Sequence, residues 1–233
     1  MKGFGDEHFM VDEALLEKIC GSASLTRRDF VLEVGAGTGN LTKKLAGKAG
    51  MVFAVEKNGE FFEKLSSEMG CYDNVELVCA DATKMNLPEC SKIVSNLPYS
   101  ISRRITQKFI LHGFEQAVLV YQREFAQKLT APVGHDTYRM VSVLAQSTCD
   151  IEPLFDISPE AFDPQPNIWS MALRLRLRWK PGRDYVEFLN RLFSQKNKKV
   201  RNILDGAPRE YSERKTCEMK PDEMLALYRA MPR

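Results

Sequence analysis

"LEVGAGTGN", residues 32–40, decides how the rest of the chain is read. It ends a short apolar run, "FVLEV" (30–34), and opens a helical pattern, "NLTKKLAGKAG" (40–50). Gly35, Gly37 and Gly39 put three residues without a Cβ in the intervening turn. Such residues tolerate positive φ and let a ligand approach the backbone closely. The dinucleotide fingerprint wants a further Gly three residues after the second one, and Asn40 stands there instead. Glu33, just ahead of the turn, would repel a diphosphate and favour a cationic group.

Working outward, further apolar runs recur: "MVFAVE" (51–56), "VELVCA" (75–80), "KIVSN" (92–96) and "QAVLVY" (116–121). Helix-like stretches separate the first of them, including "NGEFFEKLSSEMG" (58–70). Alternation of β-rich runs with helices implies an α/β fold, a parallel sheet covered on both faces. Later come "LFDIS" (154–158) and "MALRLRLRW" (171–179). The Leu/Arg alternation of the latter predicts a strand with one wet face, at an edge or with an antiparallel partner.

After "KPGR" (180–183), Tyr185, Phe188, Leu189 and Leu192 fall at helical spacing. "KNKKVRNIL" (196–204) and "PDEMLALYRAM" (221–231) predict two more short helices. Pro181-Gly182 marks a boundary. Residues 1–180 are expected to form the main domain and 181–233 a small helical one, too small for a core of its own and so packed on the first.

Composition narrows the class. Of 233 residues, 44% are hydrophobic and 27% charged, as in ordinary globular proteins. No apolar run approaches the roughly 18 residues of a membrane helix, and the N-terminus has no secretory core. The six cysteines form no C-x-x-C pair and the three histidines show no metal-like spacing. Reduced thiols, a cytoplasmic location and no metal are the expectation. Net charge is only +2, yet residues 174–209 hold eleven Lys/Arg against three Asp/Glu. That local +8 suggests a region facing a polyanion.

The strand ends carry the chemistry. Glu56 closes the second strand, where an acid can accept both hydroxyls of a ribose. Asp81, in "CADAT", follows the third and can accept from an adenine amine. Asn96 closes the fourth. Together with Glu33, Gly35 and Gly37 these residues share one carboxyl edge, where open α/β sheets bind ligands. A ligand with a ribose, an adenine and a cation but no phosphate is implied, and S-adenosylmethionine fits it.

"SNLPYS" (95–100) then suggests the acceptor. The amino group of adenine is a poor nucleophile because its lone pair is delocalised into the ring. The Asn96 side-chain oxygen and a backbone carbonyl could accept its two protons and aim the lone pair at a donor methyl. Pro98 has a fixed φ and stiffens the turn, and it biases Leu97 away from helix. Tyr99 could stack on the base, with Phe162 from "EAFDPQPN" (160–167) on the other side. A base in such a pocket must be unpaired or flipped out.

"NLPYSIS" (96–102), "LEVGAGTGNLT" (32–42), "EHFMVD" (7–12), "FDPQPNIWS" (162–170) and "FSQKNKKVRNIL" (193–204) together resemble one family in order and spacing. It is the ribosomal RNA adenine N6,N6-dimethyltransferases, and the resemblance spans roughly residues 5 to 205. It implies a class I methyltransferase fold, a mostly parallel seven-stranded sheet with a small helical C-terminal domain. It implies S-adenosylmethionine contacts at His8, Met10, Gly35, Glu56, Asp81 and Asn96, and target-base contacts at Asn96, Tyr99 and Phe162. It also implies an RNA-binding basic helix carrying Lys196, Lys198, Lys199 and Arg201. The implied reaction dimethylates two adjacent adenosines near the 3′ end of small-subunit rRNA, coupled to ribosome biogenesis. The implied partner is that rRNA or the immature small subunit, and a monomer is expected. Two departures stand out: Glu7 where the family usually has Gln, and Asn167-Ile168 followed by Trp169 where it usually has Lys-Val. The alternatives are a methyltransferase for a large-subunit rRNA adenine and an assembly factor with vestigial catalysis.

Overall fold

A computed structural model describes residues 8–231. In chain order the elements are β1 (Phe9–Met10), α1 (Glu13–Ser22), β2 (Phe30–Val34), α2 (Asn40–Ala46), β3 (Met51–Glu56), α3 (Gly59–Met69), β4 (Val75–Cys79) and β5 (Lys92–Asn96). A 3-10 turn (Tyr99–Ile101) leads into α4 (Ser102–His112), β6 (Gln116–Gln122), α5 (Arg123–Leu129), α6 (Met140–Thr148) and β7 (Cys149–Ile157). β8 (Phe162–Asp163), β9 (Ser170–Leu177), α7 (Arg183–Phe193), α8 (Arg209–Ser212) and α9 (Pro221–Ala230) complete the described chain.

Seven strands form one sheet in the order β4-β3-β2-β5-β6-β9-β7. β4, β3, β2, β5 and β6 run parallel, and β9 is antiparallel to both its neighbours. β1 and β8 form a separate antiparallel pair. Along each central strand successive side chains enter opposite layers. Leu32, Ile93 and Leu119 join Phe109 and Tyr121 on one face. Val31, Val94 and Val118 join Leu16, Ile19 and Leu45 on the other. Burial on both faces explains why the strands read as continuous apolar runs.

The direction of strand addition reverses between β2 and β5, which is where an open sheet makes its crevice. These two strands pair only at Val31↔Lys92 and Leu32↔Ile93. Beyond that point the Ser95 hydroxyl accepts from the Val34 amide at 2.9 Å, so the buried N–H keeps a partner while the strands part.

β9 is internal, between β6 and β7, so of the two readings of its Leu/Arg alternation the antiparallel partner holds and the edge does not. Two other expectations are corrected. Arg174 of β9 pairs with Glu152 of β7 at 2.6 Å, and Arg178, just past the end of β9, pairs with Asp150 of β7 at 3.6 Å. The local +8 is therefore partly neutralised across the ladder. The stretch 196–204 is not a helix but turns around one 3-10 turn, Val200–Asn202. Val200, Ile203 and Leu204 are buried at helix-like spacing. However, the Val200 amide donates to the Arg214 carbonyl (2.9 Å), and Lys199 bridges Lys215. Those cross-chain bonds replace the i→i−4 ladder a helix would need.

Tyr185, Leu189, Leu192, Met224 and Leu227 of α7 and α9 join the same apolar cluster as Leu32 and Phe109. Tyr138 ties the two parts, donating from its hydroxyl to the Met219 carbonyl at 3.0 Å. No helix among the described residues is long and apolar enough to cross a membrane.

Candidate active site

The Gly-rich turn and the Asn-Leu-Pro-Tyr turn interlock. Gly35 has φ +79°, and a Cβ there would lie 2.9 Å from Pro98 Cδ. Gly37 has φ +52°, and a Cβ there would fall 2.6 Å from a ring carbon of Phe9. Real Cβ atoms do not approach that closely, so both positions need glycine for space as well as for backbone conformation.

β1 straps across the two turns. Asn96 Nδ2 donates to the His8 carbonyl at 3.1 Å, and Asn40 Nδ2 donates to the Met10 carbonyl at 2.9 Å. His8 Nδ1 donates to the Pro164 carbonyl at 2.8 Å, and the Phe9 ring meets Phe61 edge-on at 4.8 Å. Met10 is buried. Glu7 lies outside the described residues. A pocket opens beneath this strap, lined by Phe9, Met10, Glu33, Gly35, Asn40 and Asn96 among others.

The three acids sit in different environments. Glu56 is nearly buried and is oriented by two amides: Gly37 N–H donates to Oε2 (2.8 Å) and Asn58 N–H to Oε1 (2.7 Å). Each oxygen keeps a lone pair for a hydroxyl. Lys57, the next residue after Glu56, reaches Asp81 at 3.2 Å. The Thr83 hydroxyl (2.6 Å) and amide (3.0 Å) donate to Asp81 Oδ1. Led by the Thr83 hydroxyl, these partners hold the Asp81 carboxyl down at about 2, so it remains an ionised acceptor.

Glu33 is 1% exposed, and its Oε2 has no hydrogen-bond partner. Burial pushes its carboxyl up to about 8, and the nearby Glu56 charge adds to the rise. The Thr42 hydroxyl beside it works against the rise, although no hydrogen bond closes within range. A carboxyl whose folded pKa exceeds its unfolded value stabilises the fold at low pH and loses that contribution as pH rises. Stability is therefore expected to decline between about pH 4.5 and 8 by a component tied to about one proton. Thermal melts of Glu33→Gln should show a flatter decline across that window. An identical slope in both proteins would contradict the assignment.

Asn96 lines the pocket beneath the strap, and its second amide atom, Oδ1, is buried without a hydrogen-bond partner. Leu97 is buried, and Pro98 is extended at φ −56°, ψ 128°. The Pro98 carbonyl is taken by the Ile101 amide at 3.3 Å, which leaves the Leu97 carbonyl as the candidate second acceptor. The Tyr99 hydroxyl is fixed against Ser170 Oγ at 2.6 Å, and its ring lies 5.6 Å from that of His8.

Phe162 differs from expectation. It is 2% exposed, pairs with Met10 across β8–β1 and belongs to the apolar cluster under the strap. Strand pairing draws the ring into the core, so no open sandwich with Tyr99 exists in this structure. The basic stretch differs as well. Lys199 (2.8 Å) and Arg201 both pair with Glu213, whereas Lys196 and Lys198 make no ion pair among the described residues.

Phe9, Asn40, Ser95, Thr83 and Ser170 shape the site without having been singled out from the sequence. Asn40, directly after the Gly-rich turn, had a positional cue. Ser170 had none, because its partner lies 71 residues away.

The comparisons agree with this geometry. A family described as "Ribosomal RNA adenine dimethylase" matches residues 2–224. A "Probable ribosomal RNA small subunit methyltransferase A" of Methanococcoides burtonii is 32% identical over 246 residues, covering 97% of this chain and 91% of that protein. One of the same description from Methanopyrus kandleri is 37% identical over 232 residues, covering 94% and 84%. In fold, a solved dimethyladenosine transferase from Plasmodium falciparum superposes with a TM-score of 0.83 at 23% identity, covering 94% of this chain and 96% of that one. The 23S rRNA methyltransferase ErmE superposes at 0.75 with 25% identity, covering 95% and 98%. With the interlocked turns inside the matched span, the chain belongs to the ribosomal RNA adenine dimethylase family.

Proposed function

We propose that this protein transfers methyl groups from S-adenosylmethionine to the N6 amino groups of two adjacent adenosines near the 3′ end of small-subunit rRNA. The observation that carries this reading is the buried, unpartnered Oδ1 of Asn96, a residue lining the same pocket as Glu33, whose Oε2 is also unpartnered. A buried acceptor without a donor is costly, and each of these is met by a group of the two substrates. S-adenosylmethionine supplies an electrophilic methyl group on a sulfonium.

Glu33 faces the cationic amino-acid end of the donor, with Gly35 and Gly37 giving backbone access. Glu56 accepts from the ribose hydroxyls, Asp81 accepts from the adenine amine, and His8 and Met10 close the strap. Asn96 Oδ1 and the Leu97 carbonyl accept the two protons of the target amine and orient its lone pair. Tyr99 holds the plane of the base, and Phe162 supports the strap from below. No general base is needed, because the proton leaves after the nitrogen has become cationic. Positioning and preorganised dipoles supply the catalysis.

The target adenosine reaches Asn96 unpaired. The partner is small-subunit rRNA or the immature small subunit, and the protein acts as a cytoplasmic monomer. Residues 181–233 form a small RNA-binding unit on the domain 1–180. Neutralising Lys196, Lys198, Lys199 and Arg201 together should flatten the salt dependence of RNA binding. For single-stranded contacts the log–log slope should fall by about 0.7 per lost phosphate contact. Lys199 and Arg201 remain usable because an exposed pair with Glu213 is worth only about 0–1 kcal/mol. An unchanged slope would move the RNA site elsewhere.

A large-subunit target is the weaker reading, because the two sequence relatives at 32% and 37% identity carry the small-subunit name, whereas the large-subunit enzyme ErmE is 25% identical. Vestigial catalysis is disfavoured by the presence of both Asn96 and Tyr99. The test is to incubate the protein with labelled S-adenosylmethionine and unmethylated small subunits, then map the label by mass spectrometry. Dimethyladenosine at two neighbouring positions of the small-subunit rRNA is expected. Label confined to large-subunit RNA, or no transfer, would overturn the proposal.

A further inference from the structure

Four large hydrophobic side chains are exposed among the described residues, and two are neighbours: Ile168 at 42% and Trp169 at 47%. Trp169 stands on the catalytic rim. Its carbonyl accepts from the Arg123 amide at 2.9 Å, extending the β6–β9 ladder by one residue beyond Gln122↔Ser170. The next residue, Ser170, holds the Tyr99 hydroxyl. From Tyr99 the chain turns directly into α4, whose first turn carries Arg103 and Arg104, both exposed. Neither pairs with a carboxylate among the described residues. Two cations at a helix N-terminus oppose the helix dipole, so they do not serve the helix. They leave uncompensated positive charge within one turn of Tyr99, while the exposed Trp169 directly precedes Ser170 on the other side of the Tyr99–Ser170 bond.

We infer that Trp169 and the Arg103–Arg104 pair grip the RNA flanking the methylated base. One unpaired neighbouring base stacks on the indole while the guanidinium groups take the adjoining phosphates. Aromatic stacking is tolerant of base identity, and guanidinium groups match phosphate oxygens in a fork. These are specificity residues for unpaired RNA next to the target, and they do not touch the reacting atoms. The inference rests on the reading of the site as an RNA adenine methyltransferase.

The test uses the full chain with a short single-stranded RNA containing two adjacent adenosines, alongside unmethylated small subunits. The chain has two tryptophans. Trp179 is held away from the rim, past the far end of β9, by its indole N–H to the Ser147 carbonyl (2.9 Å) and by packing on Tyr185. RNA should quench the fluorescence of the wild-type protein, and Trp169→Phe should remove that quench while keeping near-normal affinity. Trp169→Ala should raise KM for RNA about tenfold, with kcat at saturating RNA and donor affinity unchanged. Arg103→Ala with Arg104→Ala should reduce the salt slope of binding by about 1.4. If wild-type protein methylates adenines but these variants leave KM, quench and slope unaltered, the grip is refuted and the active-site reading stands. If wild-type protein transfers no methyl group to RNA, the reading beneath it fails as well.

Discussion

Asn96→Ala is expected to reduce methyl transfer by about 10²–10³ in kcat, the cost of removing one preorganised dipole from a reacting centre. The side chain is split between two tasks. Nδ2 secures the strap through the His8 carbonyl, and Oδ1 is buried without a hydrogen-bond partner. Removing both should weaken donor binding only modestly, within about tenfold for one lost hydrogen bond. Glu33, Glu56 and Asp81 remain in place for the donor. Calorimetry with S-adenosylmethionine separates the effects from single-turnover methylation rates. A variant that keeps near-normal turnover, or one that loses the donor altogether, would remove Asn96 from the role of amine acceptor.

Gly35→Ala should damage fold and chemistry together. At φ +79° an L-residue costs about 1–2 kcal/mol. The new Cβ would also lie 2.9 Å from Pro98 Cδ, a ring atom that cannot rotate away. Pro98 must move, and Leu97 and Asn96 move with it. A melting temperature lower by roughly 4–10 °C is expected. Methyl transfer should fall by about a hundredfold even on folded protein, since misplacement by an ångström is that costly. Gly59→Ala is the control: it opens α3 with nothing within 4 Å of a Cβ. If Gly35→Ala melts and turns over like Gly59→Ala, the two turns are not coupled in the way described.

Much of the fold was legible because its strands are buried on both faces and so stand out as short β-rich runs. "FVLEV", "MVFAVE" and "KIVSN" are strands to the residue. The rim was legible because Glu33, Glu56, Asp81 and Asn96 each lie at or just past the end of a strand. Where the reading missed, the deciding partner was distant in sequence. Nothing near Arg174 reveals that Glu152 stands opposite, so a count of charges overstated the free basic surface. Helix-like spacing of Val200, Ile203 and Leu204 concealed a turn held by bonds to residues 214 and 215. Phe162 looked like a loop aromatic because its two-residue pairing with β1 is too short to leave a pattern. The grip of Phe9 on Gly37 and of Asn40 on Met10 likewise joins segments about 30 residues apart.

Diffraction from crystals soaked with S-adenosylmethionine and adenosine tests the central claim most directly. The account predicts the donor along the carboxyl edge, its amino-acid end at Glu33 and Gly35 and its ribose on Glu56. The second adenine should lie with its amine between Asn96 Oδ1 and the Leu97 carbonyl, facing the donor methyl. A donor bound away from the Gly-rich turn, or an adenine amine turned from Asn96, would contradict it.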